Sequence, residues 1–311
     1  MANNITYAEI LQKELDKAIV HNMVTGWMDA NAGQVIYNGG AEVKIPEMSV
    51  NGLGDYNRNG ESGFTLGDVS FGYKTYEMTQ DRGRKFQIDA MDVDETNFVL
   101  TAANIMGEFQ RTQVCPEIDA YRLSALATKA MAVEKDANVE YGYTVSPTDV
   151  VNKIKKGIKV LREKGFNGQL VIHCTYDTLL AVEEAALGKL SAVTFSQGGL
   201  NTQVPSIDGC PLIATPQNRL VTAITLNDGK TLGQTAGGYT KAVSAKNVNF
   251  LIIPVDLPIA ITKQDVMRVF DPLTNQAANA WAMDYRRYHD VWVLNSKKEG
   301  VFANIADSKE E

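Results

Sequence analysis

The chain has 311 residues, 44% of them hydrophobic and 22% charged, with a formal net charge of -7. That hydrophobic share supports a sizeable buried core in one large domain or two smaller ones, and it excludes a disordered chain. No run of ~18 consecutive apolar residues marks a transmembrane helix, and the negative balance disfavours sequence-specific nucleic-acid binding.

Over residues 6–24, Ile10, Leu11, Leu15, Ala18 and Ile19 recur at three- and four-residue spacing, which predicts an amphipathic helix that wants a partner on one side. Glu9, Glu14 and Asp16 lie in this stretch, which lacks the basic start and small-residue cleavage site of a secretory signal. Glycines 26, 33, 39 and 40 end the helical pattern, and residues 42–45 alternate as a short strand.

Residues 49–63 are rich in Gly and Asn, too polar for a core. An alternating stretch follows over 64–78: Phe64 and Leu66 share a face that resumes, after a shift of one at Gly67-Asp68, with Val69, Phe71 and Tyr73. The shift predicts a bulge. A turn at 80–83 and a second strand carrying Phe86, Ile88 and Ala90 complete an expected long hairpin. Two strands alone are marginal in water, so such an arm needs another surface to lie on.

Residues 95–131 carry the longest helical pattern, with Phe98, Val99, Ala102, Ile105, Met106 and Phe109 on one face. Pro116 removes a donor and clashes with the carbonyl of Thr112, which predicts a kink or break near 112–116. After a polar connector at 134–145, Ser146-Pro147-Thr148-Asp149 reads as a helix start, the stripe Val150, Ile154, Ile158 and Leu161 as the helix, and Gly165 as its end. A buried strand at 170–174 and a helix at 175–186 follow. Short strands are expected at 212–215, 221–226, 249–255, 259–262, 267–270, 285–294 and 301–302, with Lys297-Lys298-Glu299-Gly300 as a hairpin turn.

The constellations that carry chemistry are sparse. Phosphate-loop, nucleophile-elbow and zinc-helix motifs are absent. His21, His173 and His289 lie in separate segments, and no metal or cofactor is expected. His173-Cys174 would sit on opposite faces of a strand, which argues against a thiol–imidazole pair. Cys115, Cys174 and Cys210, odd in number and widely spaced, suit reduced thiols. The basic residues Lys153, Lys155, Lys156, Lys159, Arg162 and Lys164 make a solvated helix face, with a neighbouring subunit or DNA as the minority reading, and Asp89, Asp92, Asp94 and Glu95 fit helix capping.

The runs KTYEMTQDRGRKFQIDAMDVDETN at 74–97 and MGEFQRTQVCPEIDAYRLSALA at 106–127 resemble the major capsid proteins of tailed bacteriophages, particularly prophages of Gram-positive bacteria. The likeness is weaker over 146–215 and returns in Arg268-Val269-Phe270-Asp271-Pro272 and Asp284-Tyr285-Arg286-Arg287-Tyr288-His289-Asp290. It implies an α+β fold of the Hong Kong ninety-seven type. Its parts would be an N-terminal arm (1–34), an extended β-hairpin loop (42–90), a spine helix with the first part of a peripheral domain (91–145), an α/β axial domain (146–255), and the rest of the peripheral domain with the C-terminal tail (256–311).

The resemblance further implies a structural subunit, not an enzyme, that assembles in the bacterial host cytoplasm as pentamers and hexamers into the icosahedral head of the virion. Double-stranded DNA is enclosed without sequence specificity, no membrane is involved, and a portal and a separate scaffolding protein are the other partners. The short arm before the loop is the reason to expect a separate scaffold. Phe64, Leu66, Val69, Phe71 and Tyr73 of the loop, with Ile10 and Leu15 of the arm, are the expected inter-subunit contacts. Covalent crosslinking would draw on Lys74 or Lys85 and Asn275 or Asn279, although no motif assigns them. An encapsulin-like nanocompartment shell is the first rival, and an α/β ligand-binding enzyme built on 146–255 the second.

Overall fold

The structure, a computed structural model, describes residues 23–34, 36–37, 42–58, 63–95, 102–133, 137–186, 190–197, 200–275 and 277–309. Ile10 and Leu15, with the rest of the helix expected before residue 23, lie outside the described residues. In chain order the first half holds a 3-10 segment (Gly26–Gln34), β1 (Ile36–Tyr37), β2 (Glu42–Val50), β3 (Val69–Glu77), β4 (Gln80–Asp89), α1 (Ala90–Glu95), α2 (Ala102–Phe109), a π-helical turn (Gln110–Val114) and α3 (Cys115–Met131). The second half holds β5 (Val139–Glu140), α4 (Val150–Glu163), β6 (Leu170–Cys174), α5 (Tyr176–Ala186), β7 (Ser191–Gln197), β8 (Leu200–Ile207) and β9 (Cys210–Ala214). It ends with β10 (Ile224–Leu226), β11 (Tyr239–Lys241), β12 (Val248–Pro254), β13 (Pro258–Phe270), β14 (Ala280–Val293) and β15 (Phe302–Ile305). The fold is α+β.

A seven-stranded mixed sheet, ordered β5-β15-β12-β6-β9-β8-β7, forms the core of the second half. Its interior strand β12, between β15 and β6, has the sequence VNFLIIP and is buried along its whole length. Alternation splits its side chains between two cores: Phe250 and Ile252 meet Ile154, Ile158 and Leu161 of α4, while Leu251 and Ile253 meet Trp27, Leu123 and Leu126. Val248 joins the second group because the register shifts between it and Phe250. Helix α4 lies close on the sheet: a Cβ at Gly157 would come within 2.7 Å of Ile252 and Phe302 side-chain carbons. The helix ends in a Schellman motif, with Gly165 at φ +91° and the Phe166 N–H donating to the Leu161 carbonyl. It begins at Val150, not within the Ser146–Thr148 turn, and the Ser146 hydroxyl accepts from the Thr148 N–H instead of capping the helix.

A second sheet, β13-β14-β4, is antiparallel throughout. Helix α3 links the two sheets. Cys115 and Ile118, with Met106 from α2, pack on Met267, Met283 and Tyr285, while Leu123, Leu126 and Ala130 reach the core of the seven-stranded sheet. The expected kink or break at Pro116 is a π-helical turn immediately before the proline, after which the helix continues. Widening the helix by one residue relieves the contact between the proline ring and the preceding turn without ending the helix.

Four further expectations are corrected. The strand facing β3 is β2, in register from Glu42↔Glu77 to Val50↔Val69, whereas β4 pairs with β14, so the hairpin closes at residue 77 and not 90. Strand pairing is non-local, and β4 finds more partners along β14 than a turn at 80–83 would give it. Residues 64–68 precede the strand, so the shift at Gly67-Asp68 is a loop and not a bulge. Residues 295–300 form a 3-10 turn between β14 and β15, which lie in different sheets, so this is a crossing and not a hairpin. The strands expected at 259–262 and 267–270 are one strand, β13, with a bulge between Thr262 and Gln264.

Candidate assembly surface

The β2–β3 ribbon has two faces with opposite fates. Val43 and Ile45 lie opposite Tyr76 and Lys74, and near its root this face packs on Ile259, Ile261, Tyr288 and Trp292. Farther out the same face turns polar, with Glu47 opposite Gly72 and Ser49 opposite Ser70. The other face pairs Pro46 with Tyr73, Met48 with Phe71 and Val50 with Val69, an apolar strip along the strands. Its five side chains beyond Pro46 are all more than half exposed, from Tyr73 at 54% to Met48 at 67%. Phe71 and Tyr73 meet edge to face at 5.3 Å.

The tip continues the pattern. Leu53, Tyr56, Phe64 and Leu66 are exposed, and Phe64 packs edge-on against Tyr56 at 4.9 Å. Fifteen large hydrophobic side chains are exposed among the described residues, and nine of them lie between 48 and 73. Scattered exposed hydrophobics need no explanation, whereas this concentration on one projecting ribbon makes a contiguous exposed apolar strip. At ~3.3 Å per residue the paired strands reach ~30 Å from the root.

The root is locked by polar bonds. Strand β3 ends at Glu77, and the Thr79 N–H and Oγ1 both donate to Asp290 Oδ2, at 2.8 and 2.9 Å. Tyr121 Oη donates to the other carboxylate oxygen at 2.7 Å, and Tyr288 Oη to the Met78 carbonyl at 3.0 Å. Burial, the largest influence, helps push the Tyr121 phenol up to about 12, so it remains a donor. Residues 23–29 are fastened to α3 in a similar way: buried Asp119 accepts from the Val24 and Thr25 N–H groups, and Arg122, with no exposed side-chain surface, binds Asp29 and the Thr25 carbonyl.

The structure places Phe64, Leu66, Val69, Phe71 and Tyr73 together on the ribbon and its tip. Sequence reasoning missed Met48, Val50, Leu53 and Tyr56, because Pro46 ended the strand pattern early. The alternation of Ile45, Glu47 and Ser49 with Pro46, Met48 and Val50 was the available signal.

The remaining candidate groups are engaged elsewhere. His173 is buried, accepts from Trp27 Nε1 at 3.2 Å, and is driven by burial down to about 3; Cys174, on the opposite face, is pushed by burial up to about 12. His289 is buried beside Tyr121, and His21 lies outside the described residues. No group of three or more potential metal ligands occurs among the described residues. The basic face of α4 is laced with acids, Lys153 and Lys156 with Glu140, Lys155 with Asp208 and Lys164 with Glu299. Asp89 accepts from the Met91 N–H at the start of α1, a capping bond. Lys74 lies over the Tyr76 ring and Asn275 donates to the Ala280 carbonyl.

No family model matches the sequence, and no curated protein sequence matches it. Solved structures do. A protein of Mycobacterium phage Che8 superposes with a TM-score of 0.58 at 13% identity, over 92% of this chain and 90% of that one. The mature capsid of bacteriophage PhiM1 gives 0.55 at 12% identity, over 87% and 83%. A virus-like particle from Pyrococcus furiosus gives 0.53 at 9% identity, over 96% and 99%. The chain has the phage capsid protein fold, over nearly its whole described length.

Proposed function

We propose that the chain is a shell subunit, the major capsid protein of a tailed-phage head. Many copies, arranged as pentamers and hexamers, close into an icosahedral shell around double-stranded DNA. Assembly takes place in the bacterial cytoplasm with a separate scaffolding protein and a portal, and the product is the virion head. The observation that carries this reading is the apolar ribbon face from Met48 to Tyr73, exposed on a strand pair rooted by bonds to Asp290. The phage-capsid fold supports it.

Within this proposal the parts divide as arm (1–34), ribbon with its tip (42–77), peripheral body (80–145 and 256–311) and axial domain (146–255). Phe64, Leu66, Val69, Phe71 and Tyr73 lie on a neighbouring copy, as do Ile10 and Leu15 of the arm. Each large side chain buried there contributes ~1.5–3 kcal/mol before ordering costs, repeated in every copy. Shape, not catalysis, is the mechanism: interface area replaces an active site.

A second reading is a nanocompartment shell with protein cargo, and the likeness to a virus-like particle from Pyrococcus furiosus fits a shell of either kind. Purified particles separate the two. DNA inside, or empty heads made with a scaffold, supports the phage head; a co-purifying enzyme inside supports the compartment. A chain that stays monomeric at high concentration, alone and with its scaffold, would rule out both.

A further inference from the structure

A groove of about 710 Å³ lies between the π-helical turn with Pro116 and the β10–β11 hairpin. Arg111, Arg219 and Lys241 line it together with Asn218, Tyr239 and other neutral side chains, and no carboxylate among the described residues does. In a chain of net charge -7, an acid-free lining with three cations is a local exception. Two of the cations have a carboxylate partner behind them, Arg111 with Glu108 and Arg219 with Asp119, whereas Lys241 reaches the neutral Asn247 Oδ1 at 2.7 Å.

Arg219 Nε and Tyr239 Oη are turned away from water and have no hydrogen-bond partner among the described residues. Leaving a buried donor unpaired costs ~1–3 kcal/mol, more when it is charged, and both atoms sit beneath the groove surface on residues that line it. The groove is far larger than a single oxyanion needs, since one water occupies ~30 Å³. Cations flanked by amide and hydroxyl groups match the donor set that meets a sugar–phosphate backbone.

We infer that this groove binds the phosphodiester backbone of a nucleic acid, without reading its sequence. The inference deepens the proposed function, resting on it for the presence of DNA near the subunit. It assigns that DNA a seat on the chain instead of mere containment.

The test is fluorescence anisotropy of a labelled 30-base-pair duplex with the full-length chain, titrated across salt concentrations. Lys241→Ala should lower the salt slope by about one and the Arg111→Ala, Lys241→Ala pair by about two. Lys159→Ala, on the solvated face of α4, should leave the slope unchanged. Equal losses for all three lysine and arginine variants, no binding by the wild type, or displacement as effective by polyglutamate or by inorganic phosphate would each overturn the inference. Electron microscopy of the same preparations keeps the two ideas apart. Shells that form without DNA affinity defeat the groove alone, and DNA affinity without shells defeats the capsid reading alone.

Discussion

The hydroxyl of Tyr121, on the long helix α3, donates at 2.7 Å to Asp290 of β14, and the same carboxylate receives both donors of Thr79 where the ribbon leaves the body. One buried acid therefore sets the angle between helix, sheet and projecting arm. Asp290→Ala removes the acceptor for four donors, the fourth being the N–H of Val291. It should lower stability by ~1–3 kcal/mol, seen as a fall in Tm, and speed hydrogen exchange at the Thr79 amide. Tyr121→Phe removes one donor and should cost ~0.5–1.5 kcal/mol. A Tm unchanged in both variants would show that the root is held by its apolar contacts alone.

The apolar ribbon face touches little of its own chain, so changing it should separate assembly from folding. Phe71→Asp, at a side chain 62% exposed, is expected to leave stability within ~0.5 kcal/mol while abolishing shells. Thermal melts and electron microscopy on one sample check both halves. The reverse pattern, lost stability with normal shells, would place Phe71 in the fold and not in the interface.

Gly157 fills no space because the sheet already does. Gly157→Ala brings a methyl group to 2.7 Å from carbons of Ile252 and Phe302, an overpacked contact expected to cost ~1–3 kcal/mol. Gly157→Ala with Ile252→Val should recover part of that loss if the clash is the cause. A double-mutant cycle on Tm values reads the coupling.

Acid should weaken the fold through His173. Burial holds it neutral down to about 3, against an ordinary value of 6.5, and the neutral ring accepts the Trp27 N–H. An unfolded chain takes up that proton as pH drops below ~6.5, so the stabilisation is whole above this value and is lost as pH falls toward the folded value. At pH 5 the loss is ~2 kcal/mol. His173→Gln keeps an acceptor and removes the titration, and its Tm should fall less between pH 7 and 5 than that of the wild type. Identical slopes would assign the acid sensitivity to other groups.

Sequence pattern disclosed what is local and missed what is long-range. Helix α4 was legible because Val150, Ile154, Ile158 and Leu161 make one stripe and Gly165 supplies the left-handed end. The strand Val69–Glu77 and its exposed apolar residues were legible from alternation. Its partner was not: β4 follows β3 directly and looked like the return strand, whereas β4 found β14, some 200 residues away, and β2 took the vacant place. Pro46 hid the outer half of β2; past Lys44 no described residue pairs with the far edge of that strand, where a missing donor is tolerated. Buried Arg122 and Asp119 gave no signal, since their partners lie around 95 residues distant.

Shell formation through the ribbon is tested most directly by electron microscopy of the full-length chain, co-expressed with its scaffold, beside the Phe71→Asp variant. Closed particles from the wild type, with the ribbon of each copy lying across its neighbour, and soluble folded subunits from the variant are the expected pair of results. Wild-type protein that remains monomeric, or particles in which the Met48–Tyr73 face stays in open solvent, would contradict it.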